Sequence, residues 1–237
     1  MKSRLATSLA SGLAAGALAI GLLSPPEAAA SRPAKPTASR LQATSNLVVP
    51  LTIHVATTNR APVVSQRRMR ESIARANAEL RHFGIELEIR AVEPLREGYS
   101  RVTGADHRLA LAELAHRDGS VHVFWVERVA LDAQDEQNTR VSGIHWRYFG
   151  LRKRTRQREY VVVAHDAPLT TLVHELGHAF GLGHRRAASN LMCSCQRSAN
   201  PGFTARQGRL MRVGARRFLV RSNQPRPRTD ATRYARR

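Results

Sequence analysis

HELGHAFGLGH, residues 174–184, holds more chemical information than any other stretch of this chain. His174 and His178 are four residues apart. On a helix that spacing puts both imidazoles on one face, where they can reach a single ion. Zinc takes nitrogen ligands at about 2.0–2.1 Å and favours four-coordinate tetrahedral sites. Gly181 lets the backbone leave the helix in a sharp turn. His184, three residues on, completes a three-histidine set and leaves a fourth position for water. Glu175 lies beside the first ligand at a different helical angle. It is placed to take a proton from a water held by the ion. These are the parts needed to hydrolyse a peptide bond.

Upstream of this stretch, the helix that carries it is expected to open at Pro168, run through His178 and break at Gly181. Tyr160–Ala164 reads as a short apolar strand and Val141–Phe149 as a weaker one. Val121–Val129 reads as a buried strand that follows an Asp118-Gly119 turn. His107–His116 is a short helix candidate. Ile85–Val92 alternates as a half-exposed strand. Ser65–Phe83 has Met69, Ile73, Ala76 and Leu80 at helical spacing and stops at Gly84. Leu47–Ala56 is a further strand, with Pro50 near its start. The order predicts a mixed sheet packed with helices.

HELGHAFGLGH followed by Asn190-Leu191-Met192 resembles the metzincin clan of zinc endopeptidases, and within it the small matrixin-like members. The resemblance implies an α/β zincin fold. Its features would be a twisted, mostly parallel sheet with an antiparallel edge strand, a long helix and an active-site helix. It also implies one catalytic zinc on His174, His178 and His184, Glu175 as general base, and a methionine turn at Met192 beneath the metal. The weak strand near 141–149 becomes the edge that pairs with extended substrate, through Gly143, Ile144 and His145. Departures are visible. The position two residues after the methionine is Ser194, so no tyrosine ligand is expected there. Asp132, Asp135 and Glu136 are the only acidic grouping, so structural calcium is not supported by the sequence. The stretch 31–45 has no cysteine, so latency through a propeptide thiol is not expected.

The ends of the chain read differently from its middle. Lys2 and Arg4, the apolar run Leu9–Leu23 and the small residues Ala28–Ala30 have the layout of a secretory signal peptide over 1–30. That points to a secreted or periplasmic, envelope-facing protein. Residues 31–45 read as a flexible leader, 46–220 as the zinc metallopeptidase domain, and 221–237 as a basic disordered tail. The net charge of +20 and pI near 11.6 favour contact with anionic surfaces. The run Arg152, Lys153, Arg154, Arg156, Arg158 and the tail are the candidates for such contact with an envelope polymer. Few aromatics interleave with the run, so specific nucleic-acid binding is not expected. Cys193 and Cys195, the only cysteines, admit a small bridge, idle thiols, or thiolates that silence a nearby metal.

The sequence as a whole predicts a monomeric secreted zinc endopeptidase acting on proteins or peptides. The alternatives are a zinc hydrolase of cell-wall or other non-protein amides, and a basic anion-binding protein on an inactive protease scaffold.

Overall fold

Strand β1, Leu47–Val55, buries side chains on both of its faces: Val49, Leu51 and Ile53 on one, Thr52 and His54 on the other. Only a strand inside a sheet covered on both sides does this. The computed structural model describes residues 46–223, apart from Glu97, Glu136 and residues 150–156. β1 pairs in parallel with β2 (Ile85–Pro94) and with β3 (Val121–Val126). Pro50 lies just ahead of the first β3 partner, Leu51 opposite Val121, where its missing N–H is least disruptive. β4 (Gly143–Arg147) and β5 (Glu159–Ala164) complete a five-stranded sheet of order β2-β1-β3-β5-β4. β5 is parallel to β3 and antiparallel to β4. The sheet is therefore mostly parallel with one antiparallel edge, as the resemblance implies.

Helix α1, Gln66–Leu80, is capped by Ser65, whose hydroxyl accepts from the Arg68 N–H. Met69, Ile73, Ala76 and Leu80 form its buried stripe. Asn77 bonds both the N–H and the C=O of Leu87, which anchors α1 to β2. Arg68 donates to the carbonyls of His165 and Ala167, and Ser72 to that of Leu169. The segment that leads into the histidine helix is thereby held by α1.

Several boundaries differ from expectation; the edge strand read over Val141–Phe149, for one, is confined to Gly143–Arg147. The helix with the histidines, α3, runs Thr171–Ala179 and not from Pro168. Pro168 sits in a preceding turn, where its carbonyl accepts from the Thr171 N–H. The predicted strand Val121–Val129 ends at Val126. Residues 128–130 leave it for a small sheet with 101–102 and 140–141, because the N–H groups of Glu127 and Arg128 both go to the Ser100 carbonyl. Helix α2 is Ala105–Leu114, two residues earlier than read. The Tyr160 hydroxyl on β5 donates to the α2 carbonyl of Arg108.

One helix has no counterpart in the sequence reading. Helix α4, Ala205–Ser222, packs against α3, β1 and the turn at 81–83. It extends two residues into the stretch read as a tail. Thr204 and Gln207 form a reciprocal capping box at its start. The expected signal peptide, the leader, the tail beyond Asn223 and the basic residues Arg152, Lys153, Arg154 and Arg156 lie outside the described residues. Arg158, the last of that basic run, is buried and donates to the Ala115 carbonyl, so against expectation it is not a surface contact for an anion. Among those described, no helix is long and apolar enough to cross a membrane.

Candidate metal centre

α3 brings His174 and His178 together, one turn apart. Gly181, at φ +94°, then turns the chain out of the helix and carries His184 back to face them. The Nε2 atom of His178 lies 3.2 Å from that of His174 and 3.1 Å from that of His184. Among the described residues this is the one group of three or more metal-type side chains with converging ligand atoms.

The tautomers follow from the hydrogen bonds. Nδ1 of His174 is 2.6 Å from the Leu191 carbonyl, and Nδ1 of His178 is 2.8 Å from that of Leu182. A carbonyl only accepts, so the proton is assigned to Nδ1 in each ring and Nε2 is left bare; the Arg197 guanidinium, also a donor beside Nδ1 of His174, then gives its N–H to the same Leu191 carbonyl and not to the ring. Burial depresses the His174 pKa to about 4 and lowers that of His178 as well, so both are neutral at ordinary pH. Bare, neutral nitrogens this close repel one another unless a cation sits between them. Tetrahedral zinc at its usual bond length needs ligand nitrogens about 3.3 Å apart, close to what is found. The residues present fit the ion.

Glu175 is buried, only 6 % exposed. Burial raises its pKa to about 7. A hydrogen bond from the His145 N–H and the nearby charge of Arg197 both pull the other way. A carboxylate poised near neutrality is suited to general-base work.

The His145 contact depends on the register of the edge strand. The Ala164 N–H bonds the Ser142 carbonyl, and the Tyr148 N–H bonds the Arg158 carbonyl. By the alternation of an antiparallel ladder, Ile144 and Trp146 turn their backbone groups toward β5. Gly143 and His145 turn theirs outward. Of the three residues expected to offer backbone to a substrate, Ile144 therefore differs: its groups are spent inside the sheet. Gly143 is where α3 comes closest. A Cβ there would lie 2.7 Å from Cγ2 of Thr171 and 3.1 Å from Cγ of Glu175. The His145 side chain is engaged by Glu159 at 2.9 Å. His165, on the other strand end, bonds the Glu127 carbonyl.

Met192 is fully buried beneath α3. A Cβ on Gly177 would fall 2.5 Å from its sulfur. The same turn supplies the Leu191 carbonyl to His174, and Met192 passes its own carbonyl to the Arg185 N–H just after His184. Cys193 and Cys195 are joined by a disulfide, so neither is a thiolate that could reach the ion. Asp132 and Asp135 hold the turn over 131–139 through the Gln134 N–H and the Asn138 amide. Glu136 lies outside the described residues.

Three contributors went unread in the sequence. Nη1 of Arg197 donates to the carbonyls of Leu191 and Cys193 and lies 2.9 Å from Nδ1 of His174. Asn190 accepts the Met192 N–H and pairs with Gln207 of α4. The Thr204-x-x-Gln207 spacing was the available signal for that helix start. Nothing local marks Arg197.

No protein-family profile matches this chain, and no curated protein matches it in sequence. Solved structures do match in shape. Mature mirolysin of Tannerella forsythia in complex with a cleaved peptide is 13% identical, with a TM-score of 0.54 over 77% of this chain and 100% of that one. Mirolysin in complex with compound 9 gives 12% identity and the same TM-score and coverage. Metalloproteinase-II from Bacteroides fragilis is 14% identical, with a TM-score of 0.51 over 73% of this chain and 55% of that one. At such identities the likeness is one of architecture, and by architecture the chain has the zincin-like metallopeptidase fold.

Proposed function

We propose that this chain is a zinc-dependent endopeptidase of matrixin-like type, with one zinc on His174, His178 and His184. One observation carries the reading: the ligand nitrogens of three imidazoles converge beside a buried Glu175 whose carboxylate faces an outward N–H of the sheet edge. A bound ion would acidify water and polarise the scissile carbonyl. The chain's own residues do the rest. An extended substrate lies along β4 and meets the outward backbone groups of Gly143 and His145. Glu175 accepts a proton from the attacking water and returns it to the leaving amine. Met192 supports α3 from below, and the Leu191 and Leu182 carbonyls keep the imidazoles aimed. The proposal includes export through the segment 1–30, with protein or peptide substrates. The basic loop and tail would provide the contact to anionic envelope material. It includes no structural calcium.

The test uses the chain from residue 31 onward. We expect about one zinc per chain, and cleavage of an unfolded protein that stops with a chelator and returns with zinc. Glu175→Ala should keep the zinc and lose at least 10²-fold in hydrolysis, the usual worth of a general base. A Glu175→Ala protein with full activity sinks the mechanism. Wild type that binds no zinc sinks the metal site.

A further inference from the structure

A cavity of about 600 Å³ opens beside the histidine cluster. Its walls are the edge strand at 145–147, the last turn of α3 from His178 to Gly181, and the α4 residues Leu210, Val213, Gly214, Arg217 and Arg221. His178 is thus shared between cavity and cluster. A peptide laid along β4 with its reacting carbonyl at the cluster puts a neighbouring side chain into this space.

The charge in the cavity is one-sided. Arg147, Arg217 and Arg221 line it, against a single carboxylate, Glu159. Glu159 is already engaged. Its oxygens lie 2.9 Å from His145 Nε2, 2.9 Å from Arg221 Nη2 and 3.7 Å from Arg147 Nε. These partners hold its pKa down even though burial pushes it up. It is a fixed anion that orients Arg221. Arg147 pairs with it by charge alone: its Nε is buried and forms no hydrogen bond, and its guanidinium stacks on Phe149 at 4.8 Å. Arg217 is exposed at the mouth and has no hydrogen bond or ion pair among the described residues. Two guanidinium groups therefore face a part-apolar space, walled also by Phe180, Leu210 and Val213, with donors to spare. A guanidinium matches a carboxylate in a two-pronged fit, and partial desolvation strengthens the pair.

Resting on the endopeptidase reading above, we propose that this cavity selects a carboxylate on one residue flanking the cleaved bond, an Asp or Glu side chain, read by Arg217 and Arg147. The same charge rejects Lys and Arg at that position.

The first arm maps cut sites in denatured proteins. Asp and Glu should be enriched on one side of the cut, and Arg217→Glu should replace that enrichment with Lys and Arg. The second arm does not need turnover. Zinc-loaded Glu175→Ala is titrated with a fluorescent peptide, amidated at its C-terminus, that carries Glu, Gln or Lys at the mapped position. If no cuts are found, the variable residue is scanned through the peptide. Glu should bind about tenfold more tightly than Gln and more tightly still than Lys, and Arg217→Glu should reverse the order. A matched Gln peptide with a free C-terminus distinguishes a terminal carboxylate from a side-chain one. Preference for that peptide over the amidated Glu peptide overturns the side-chain assignment. Equal affinities for Glu, Gln and Lys, or a Lys preference in wild type, overturn the proposal even if the protein cleaves well. Failure to cleave with the Glu preference intact overturns only the endopeptidase reading.

Discussion

The side-chain amides of Asn190 and Gln207 bond each other in both directions, at 2.8 and 3.0 Å, and both residues are buried. Asn190 also receives the Met192 N–H, and Gln207 also caps α4. This one pair fastens the last helix to the turn that supports His174. Removing either amide leaves the other buried and unsatisfied, at about 1–3 kcal/mol. We expect Asn190→Ala and Gln207→Ala each to lower the urea midpoint and to weaken zinc binding. The double variant should lose less than the sum of the two, because the second loss removes an already orphaned group. Strict additivity in a double-mutant cycle would mean that the pair does not act as a unit.

Much of this arrangement was open to reading before the fold was known. The histidine spacing, the stripe of Met69, Ile73, Ala76 and Leu80, and the apolar strand Tyr160–Ala164 are local patterns, set by neighbours in the chain. α4 was hidden because its buried residues Met211, Ala215 and Phe218 are diluted by arginines, and Gly208 and Gly214 interrupt them. The inward turn of the Ile144 backbone depends on which residue of β4 faces which residue of β5. Arg197 reaches His174 only because the loop over 185–197 folds back. Neither fact exists at the level of local pattern.

Arg197 makes the next prediction. Its guanidinium spans two carbonyls of the turn and stands behind a ligand ring. Removing such outer partners of a metal ligand commonly weakens metal binding about 10–100-fold. Arg197→Met should do so in a chelator-competition titration while the chain stays folded. Arg197→Lys should recover little, since one ammonium cannot reproduce the fork. Wild-type zinc affinity in Arg197→Met would reduce Arg197 to a loop clamp.

Gly143 separates metal binding from catalysis. A side chain there meets Thr171, the Val162 carbonyl and Glu175. Gly143→Val must push α3 away from β4 and shift Glu175 against the edge strand. Crowding of this kind costs about 1–3 kcal/mol. The expected outcome is a lower melting temperature, zinc affinity within about threefold of wild type, and kcat reduced at least tenfold. A loss of zinc with no change in kcat of the loaded fraction would contradict the geometry.

The last prediction concerns acid. His54 is buried in β1, 2.9 Å from Nδ1 of His122, and stacked on Phe124. His122 leans on Asp118, and Glu93 reaches His54 from the solvent side. Burial, then the neighbouring His122 and His116, depress the His54 pKa to about 4, and Asp118 offsets only part of that. The unfolded chain takes up this proton near pH 6.5, and the folded chain only near pH 4. Between those values the unfolded state binds more protons, so stability falls as pH drops through the window and levels off below it. The shift corresponds to a loss on the order of 3 kcal/mol at the acid end. On the metal-free chain His174 adds a loss and Glu175 a gain over the same window, so the His54 share is read as the difference between wild type and His54→Phe in urea titrations at pH 7 and at pH 4.5. His54→Phe keeps the stack on Phe124 and removes the proton site. It should flatten the pH dependence by a similar amount, whatever its own effect on absolute stability. An unchanged slope in His54→Phe would assign the acid sensitivity to other groups, His174 first among them.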